Sequence, residues 1–133
     1  MRTLLIVKPG WKRYPGLLFG IGAFIRVKNL DICLEHTTIA CRKFWEEFYQ
    51  SHSKAPYFEE MINYLTSSKY IFMILDGDLV VKSVRERVIE IRARYGKKGK
   101  DTKNVLHASD SEENAQKEID LVIDFLAHDR LQV

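Results

Sequence analysis

The sequence predicts an α+β fold of the ferredoxin-like type, in which helices pack on a small antiparallel sheet. Two apolar runs, Thr3–Lys8 and Tyr70–Leu75, are typical of buried strands, and the pairs Pro9-Gly10 and Asp76-Gly77 end them. Segments with apolar residues at helical spacing lie between these strands and after them. A length of 133 residues fits one domain, and we expect residues 1–133 to form it.

The other strands and the helices follow in order along the chain. Two further strands, the second of them short, are predicted at Asp31–His36 and Val105–Ala108. Apolar residues at helical spacing predict helices at Leu17–Lys28, Thr38–Gln50, Pro56–Leu65 and Leu79–Ile91. Pro56 suits the first turn of its helix.

A final helix follows a candidate capping box, Ser109-Asp110-Ser111-Glu112. Its predicted inner face carries Ala115, Ile119, Val122 and Phe125. Gly and Pro predict a loop at Trp11–Gly16, and Gly among cations predicts an exposed loop at Tyr95–Lys103. The economical packing of these elements places the helices over one face of the sheet.

Composition excludes several classes of protein. Apolar residues make up 46% and charged residues 29%, which is enough for a core and excludes whole-chain disorder. The longest mostly apolar run, Gly16–Ile25, is about half the length of a membrane span. Cys33 and Cys41 form no metal or redox motif, and the first residues lack the pattern of a secretory signal. We therefore expect a cytoplasmic protein with reduced thiols and no membrane partner.

Positive charge is concentrated in one segment. Arg85–Lys103 contains eight Lys or Arg residues against three Asp or Glu residues, although the net charge of the whole chain is only +3. Such a patch is typical of a surface that binds a phosphate-bearing partner. It is more often a solvated helix face that runs into a loop, so charge alone favours that interpretation and does not establish a binding surface.

The most informative histidine is His107, in the segment Asn104–Ser111. It lies just before a predicted helix N-terminus, where free N–H groups and a partial positive charge suit a phosphate. Histidine accepts a phosphoryl group when one ring nitrogen is free and a hydrogen bond to the other fixes the tautomer. Glu118, two to three turns into the final helix, is a candidate for that bond. A histidine beside a helix cap also occurs for structural reasons, so the pattern alone does not decide.

The segment NVLHASDSEENAQKEI closely resembles the active-site signature of nucleoside diphosphate kinases. The resemblance extends to RTLLIVKP, FYQSHSKAPYFEEMINYLTSSKYIFMILDG, VVKSVRERV and IRARYG, in the order of that family. It implies an enzyme that moves the γ-phosphate of a nucleoside triphosphate such as ATP to a nucleoside diphosphate. The intermediate would be a phosphohistidine, with ping-pong kinetics.

The resemblance also implies the roles of individual catalytic residues. His107 matches the nucleophile, and Lys8 matches the lysine that contacts the transferred phosphate. Tyr49 matches the tyrosine whose hydroxyl lies beside that lysine and the histidine. Ser109 and Glu118 match the residues that support the histidine.

A second set of matched residues is implied to bind the nucleotide. Besides Lys8, Arg85 and Arg92 match the arginines that hold the phosphates, and Asn104 matches the asparagine that contacts the sugar. Tyr57 stands where the family has a phenylalanine that stacks on the base. In the family, Mg²⁺ is carried by the nucleotide phosphates and no dedicated protein site holds it.

The sequence departs from the family pattern in three places. Gly10-Trp11 replaces the usual Asp-Ala or Asp-Gly, the stretch Leu17–Ile25 carries no charge, and about ten residues are absent between Arg87 and Ile91. The missing residues would form a loop that helps to close the nucleotide site and to pack subunits. We therefore expect a homo-oligomer held mainly by the first helix and the second strand, with a more exposed base.

Two other functions are considered. A nucleotide-binding regulatory relative with weak or no kinase activity would fit the missing loop. A nucleic-acid-binding module would use Arg85–Lys103, but such a module interleaves aromatic residues with cations, and this segment offers only Tyr95. Nucleic acid is therefore not expected as the main partner.

Overall fold

The computed structural model describes residues 1–95 and 105–131, with side chains described as far as residue 128. Within these ranges the chain forms four strands and five α-helices: β1 (Arg2–Val7), α1 (Leu17–Val27), β2 (Asp31–Thr38), α2 (Arg42–Phe48), α3 (Phe58–Leu65), β3 (Tyr70–Asp76), α4 (Val80–Tyr95), β4 (Leu106–Ala108) and α5 (Glu112–Leu131). Short 3₁₀ turns occur at Trp11–Arg13 and Gln50–His52. No helix in the described part of the chain is long and apolar enough to cross a bilayer.

The strands form one antiparallel sheet in the order β2-β3-β1-β4, which confirms the predicted α+β, ferredoxin-like class. β1 lies between β3 and β4, and all but its first residue are buried. β3 is buried over six of its seven residues. These two strands are apolar at consecutive positions because both faces of the sheet are covered.

Helices pack on both faces, so the expectation of helices over one face is wrong. Leu5 and Val7 of β1 point into a core that contains the buried residues of α1 and α4. Leu4 and Ile6 point to the opposite side, into a core built from α2, α3 and α5. Alternate residues of a strand face opposite sides of the sheet, so a fully apolar strand requires an apolar layer on each side.

Several boundaries differ from the predictions. α2 ends at Phe48, and the predicted Thr38–Gln50 helix is cut at its start because Thr38 still belongs to β2. Pro56 lies before the N-cap residue of α3 and not in its first turn. Tyr95, predicted in a loop, ends α4, and its ring packs edge-on against Tyr14 with centroids 5.3 Å apart.

The candidate capping box at Ser109 is also wrong. The hydroxyl of Ser111 accepts the backbone N–H of Asn114 at 3.1 Å, so Ser111 caps α5. Asn114 in turn donates its side-chain amide to Asp110. Ser109 is fully buried, and its hydroxyl is used elsewhere.

Candidate active site

Strand register brings Lys8 and His107 to the same face of the sheet. Ile6 of β1 pairs with His107 of β4, and cross-strand partners face the same side. Lys8 is two residues beyond Ile6 and shares its side by alternation, and its backbone N–H donates to Val105 at 2.8 Å. The nucleophile candidate and the lysine candidate therefore lie together over the core of α2, α3 and α5.

Glu118 of α5 links His107 to Ser109. Its Oε1 lies 2.9 Å from Nε2 of His107 and accepts the Ser109 hydroxyl at 2.7 Å. Ser109 is itself tied to β1, because its backbone N–H donates to Leu4 and its Oγ accepts the Leu4 N–H. One carboxylate oxygen thus connects the imidazole, the strand pair and the final helix.

This contact determines which ring nitrogen can react. A carboxylate accepts hydrogen bonds, so Nε2 of His107 carries the proton and the lone pair resides on Nδ1. Burial lowers the pKa of His107, and the positive charges of Lys8 and Arg92 act in the same direction. The bond to Glu118 raises the pKa, but the net effect is a pKa below the ordinary value. The imidazole is therefore neutral at neutral pH, which is the form that acts as a nucleophile.

Tyr49 lies beside both of these residues. Its ring centroid is 6.1 Å from that of His107, and the ammonium of Lys8 lies 5.6 Å from the same ring. The Tyr49 hydroxyl is buried and makes no hydrogen bond among the residues that the structure describes. Burial raises the pKa of this phenol, so the group stays protonated and can donate.

The two arginines of α4 hold the strand that carries the histidine. Arg85 donates from Nη1 to the carbonyl of Ala108 at 2.9 Å, and Arg92 donates from Nε to the carbonyl of Leu106 at 2.8 Å. They are seven residues apart, which is two helical turns, so both lie on one face of α4. A guanidinium has five N–H donors, and each of these bonds uses one. The arginines therefore hold β4 at the residues immediately before and after His107.

Tyr57, the candidate base platform, is at the N-cap of α3 and is 38% exposed. Its hydroxyl lies 2.6 Å from Nδ1 of His52. Asn104, the remaining nucleotide-binding candidate, lies outside the described residues, as do residues 96–103, which include four of the eight cations of the basic segment and most of the predicted exposed loop.

Two residues near the site were not predicted from the sequence. Phe48 packs edge-on against His107 with ring centroids 5.2 Å apart, and the sequence predicts only that it belongs to a helix. His52 lies against Tyr49 and Tyr57; it falls within a segment that resembles the family, but neither periodicity nor the resemblance predicts a role for it. A local turn brings these rings together, and hydrophobic patterns do not report local turns.

Fold and site together define an α+β protein in which a buried histidine, with its Nδ1 lone pair available, lies close to cationic side chains suited to phosphate. The family model described as nucleoside diphosphate kinase matches residues 1–126. A Saccharolobus islandicus nucleoside diphosphate kinase is 33% identical over 132 residues, covering 92% of this chain and 94% of the relative. The chain belongs to the nucleoside diphosphate kinase family.

Solved structures agree with this assignment. The Aquifex aeolicus nucleoside diphosphate kinase superposes with a TM-score of 0.78 at 31% identity, over 91% of this chain and 93% of that one. A halophilic nucleoside diphosphate kinase from Halobacterium salinarum, solved in complex with CDP, gives a TM-score of 0.76 at 25% identity. That match covers 91% of this chain and 86% of the other.

Proposed function

We propose that this protein is an active nucleoside diphosphate kinase, an enzyme of nucleotide metabolism that uses His107 as its nucleophile. The observation that carries the proposal is the bond between Nε2 of His107 and Glu118, which leaves the Nδ1 lone pair for attack. The intact cluster around the histidine favours catalysis over a regulatory relative without activity.

The reaction divides into two balanced halves. Nδ1 of His107 attacks the γ-phosphorus of a nucleoside triphosphate such as ATP, and the bond from that phosphorus to the β,γ-bridging oxygen breaks. The leaving diphosphate takes the electron pair of that bond, and the phosphoryl group remains on nitrogen. A second nucleoside diphosphate then attacks the same phosphorus with a β-phosphate oxygen, and the electron pair returns to Nδ1. Kinetics of this kind are ping-pong.

In this mechanism the cations position the phosphates and neutralise their charge, which is most of what phosphoryl transfer requires. We assign this role to Lys8, Arg85 and Arg92. The guanidinium fork of each arginine can contact phosphate oxygens while one N–H continues to hold β4. The Tyr49 hydroxyl supplies a protonated donor beside Lys8.

The nucleoside is assigned to Tyr57 and Asn104. An exposed aromatic face at Tyr57 suits every base, so weak base selectivity is expected. Asn104 is assigned to the sugar on the resemblance alone. Nucleoside di- and triphosphates are thus the proposed partners, consistent with the CDP complex of the Halobacterium salinarum relative.

Mg²⁺ is proposed to enter with the nucleotide. Glu118, the acidic residue that contacts His107, already accepts two hydrogen bonds through Oε1. Phosphate oxygens and water would therefore be the main ligands of the ion, as is usual for Mg²⁺. When bound, the ion neutralises part of the phosphate charge.

We further propose that the chain acts as one domain in the cytoplasm and assembles as a homo-oligomer through α1 and β2. On α1, Phe19 is 82% exposed and Val27 is 80% exposed, although Leu17, Ile21 and Ile25 of the same helix are buried. Among the described strands, β2 pairs only with β3, so its other edge can accept a partner. Exposed apolar residues beside an open edge suit a second copy of this chain.

Labelling with γ-³²P ATP tests the proposed transfer. We expect an acid-labile, alkali-stable label on the wild type, and GDP should discharge it to form labelled GTP. His107→Ala should fold normally and take no label, whereas the matched control His128→Ala, an exposed histidine on α5, should label like the wild type. Label on His107→Ala, or an unlabelled wild type, would refute the assignment.

A further inference from the structure

A hydrogen bond within the candidate nucleotide site has no counterpart in the family pattern. The hydroxyl of Tyr57 and Nδ1 of His52 lie 2.6 Å apart, and the hydroxyl donates when Nδ1 is unprotonated. The resemblance implies phenylalanine at this position, and phenylalanine has no hydroxyl. The contact is therefore a feature of this chain.

Local backbone structure places the two rings together. His52 ends the 3₁₀ turn Gln50–His52, and its N–H donates to the carbonyl of Tyr49. Its own carbonyl accepts the N–H of Ala55, whose carbonyl accepts the N–H of Phe58. These successive turns carry the chain from α2 to α3 and place His52 against Tyr57, with ring centroids 5.9 Å apart.

Tyr57 is 38% exposed, so packing encloses its ring less fully than it encloses the core side chains. In the described part of the chain, the buried cores on the two faces of the sheet do not include its side chain. A side chain has several staggered rotamers available, and the contact with His52 favours the one that is observed. Ordering a side chain before the ligand arrives lowers the entropic cost of binding.

His52 also connects the base platform to the catalytic residues. Its ring meets that of Tyr49 edge-on at 5.8 Å, and Tyr49 meets His107 edge-on at 6.1 Å. A continuous row of rings therefore runs from Tyr57 through His52 and Tyr49 to the nucleophile. In the proposed site, this row would set the distance between the stacked base and the transferred phosphate.

We infer that His52 is a positioning residue for the nucleoside: through its hydrogen bond it holds the Tyr57 ring in the orientation on which the base stacks. This inference rests on the proposed function, because it takes the nucleotide site to lie between Tyr57 and His107. Tyr57 contacts the base, and His52 acts only through Tyr57.

The test compares a ligand that has a base with one that lacks it. Binding of ADP and of inorganic pyrophosphate is measured by calorimetry for the wild type, His52→Leu, Tyr57→Phe and the double variant. Each single variant should weaken ADP binding about three- to tenfold, as expected for one side chain that is no longer ordered. Pyrophosphate binding should not change, and the double variant should match the single variants because both remove the same bond.

Kinetics and stability supply the remaining readouts. The KM for the nucleoside diphosphate should rise by the same factor, while kcat stays within about twofold of the wild type. His52→Gln, whose amide can still bond the hydroxyl, should recover part of the loss, and the control His128→Leu should resemble the wild type. Melting midpoints establish that each variant is folded, and Tyr57→Phe, which removes only the hydroxyl, carries the test if His52→Leu unfolds.

Three results would overturn the inference: unchanged ADP affinity, an equal loss for pyrophosphate, or additive losses in the double variant. Failure of the proposed function looks different. If the variants lose ADP affinity as expected but the wild type takes no label from ATP, the proposed kinase activity fails while His52 keeps its role. A wild type that binds no ADP would overturn both.

Discussion

Replacing Glu118 with glutamine tests the central contact of the site with almost no change in shape. The carboxylate accepts hydrogen bonds from Nε2 of His107 and from Ser109 through a single oxygen. An amide can keep one orientation that accepts both, but it loses the charge. In the other orientation it donates to Nε2 and drives the proton onto Nδ1, the atom that must attack.

The size of the effect follows from the bond that is lost. A hydrogen bond to a charged group is worth about 1.5–3 kcal/mol, and each 1.36 kcal/mol in a barrier is tenfold in rate. His107 and Glu118 are only 12% and 18% exposed, so solvent screens their interaction little. Glu118→Gln should therefore slow phosphorylation of His107 roughly 10- to 150-fold. Nucleotide binding should not change, because Glu118 is assigned to the histidine and not to the nucleotide.

Rapid-quench measurement of His107 labelling by ATP separates the chemical step from binding. Glu118 raises the pKa of His107 against the effect of burial, so its loss should lower that pKa further. The acidic limb of the labelling rate should then move to lower pH while the plateau falls. Glu113→Gln, at an exposed position of the same helix, is the matched control. This reasoning is refuted if Glu118→Gln is labelled at the wild-type rate, or if the acidic limb of its rate profile moves to higher pH.

Three further outcomes are expected. Arg92→Ala should weaken nucleotide binding or transfer by about 1.5–3 kcal/mol. Arg92→Lys should recover only part of that loss because an ammonium lacks the planar fork. The exposed control Arg94→Ala should have little effect in the same assay. Because folding lowers the pKa of His107, the unfolded chain protonates this imidazole more readily than the folded chain does. The free energy of unfolding should therefore fall as pH drops below about 6.5. Urea titrations should show a smaller fall for His107→Ala. Phe19→Glu should dissociate the oligomer in light scattering at several concentrations, whereas a monomeric wild type, or an oligomer untouched by the change, would contradict the proposed α1 surface.

The sequence predicted most of the fold because the strongest signals come from burial. β1 and β3 are apolar runs, and α5 has a clear inner face with Ile119 and Val122 buried. The expectation that helices cover only one face of the sheet was wrong, although the apolar runs of β1 and β3 themselves point to two covered faces. A strand that is apolar at consecutive positions predicts cover on both sides of the sheet, whereas the order of the elements alone favours one covered face.

The capping box failed because two similar patterns overlap. Ser109 and Ser111 both precede a polar residue by three positions, and the sequence cannot tell which serine faces the helix end. The pairing of β4 with β1 determines which serine caps the helix. It holds Ser109 against Leu4 of β1, where the Ser109 hydroxyl bonds Glu118. A contact between residues 4 and 109 leaves no mark on local spacing. His52 was missed for a related reason, since a turn and not a period brings it to Tyr57.

The shape of α4 explains how the proposed phosphate site can form without the loop that the family resemblance implies. The helix is continuous from Val80 to Tyr95, so Arg85 and Arg92 belong to one rigid element. Each is bonded to a carbonyl beside His107, one before it and one after it. The spacing of the two guanidinium groups from each other and from the nucleophile is thus set by a helix and a strand. Losing a loop should therefore affect base binding and subunit contacts, which appear in KM and assembly, more than the transfer step, which appears in kcat.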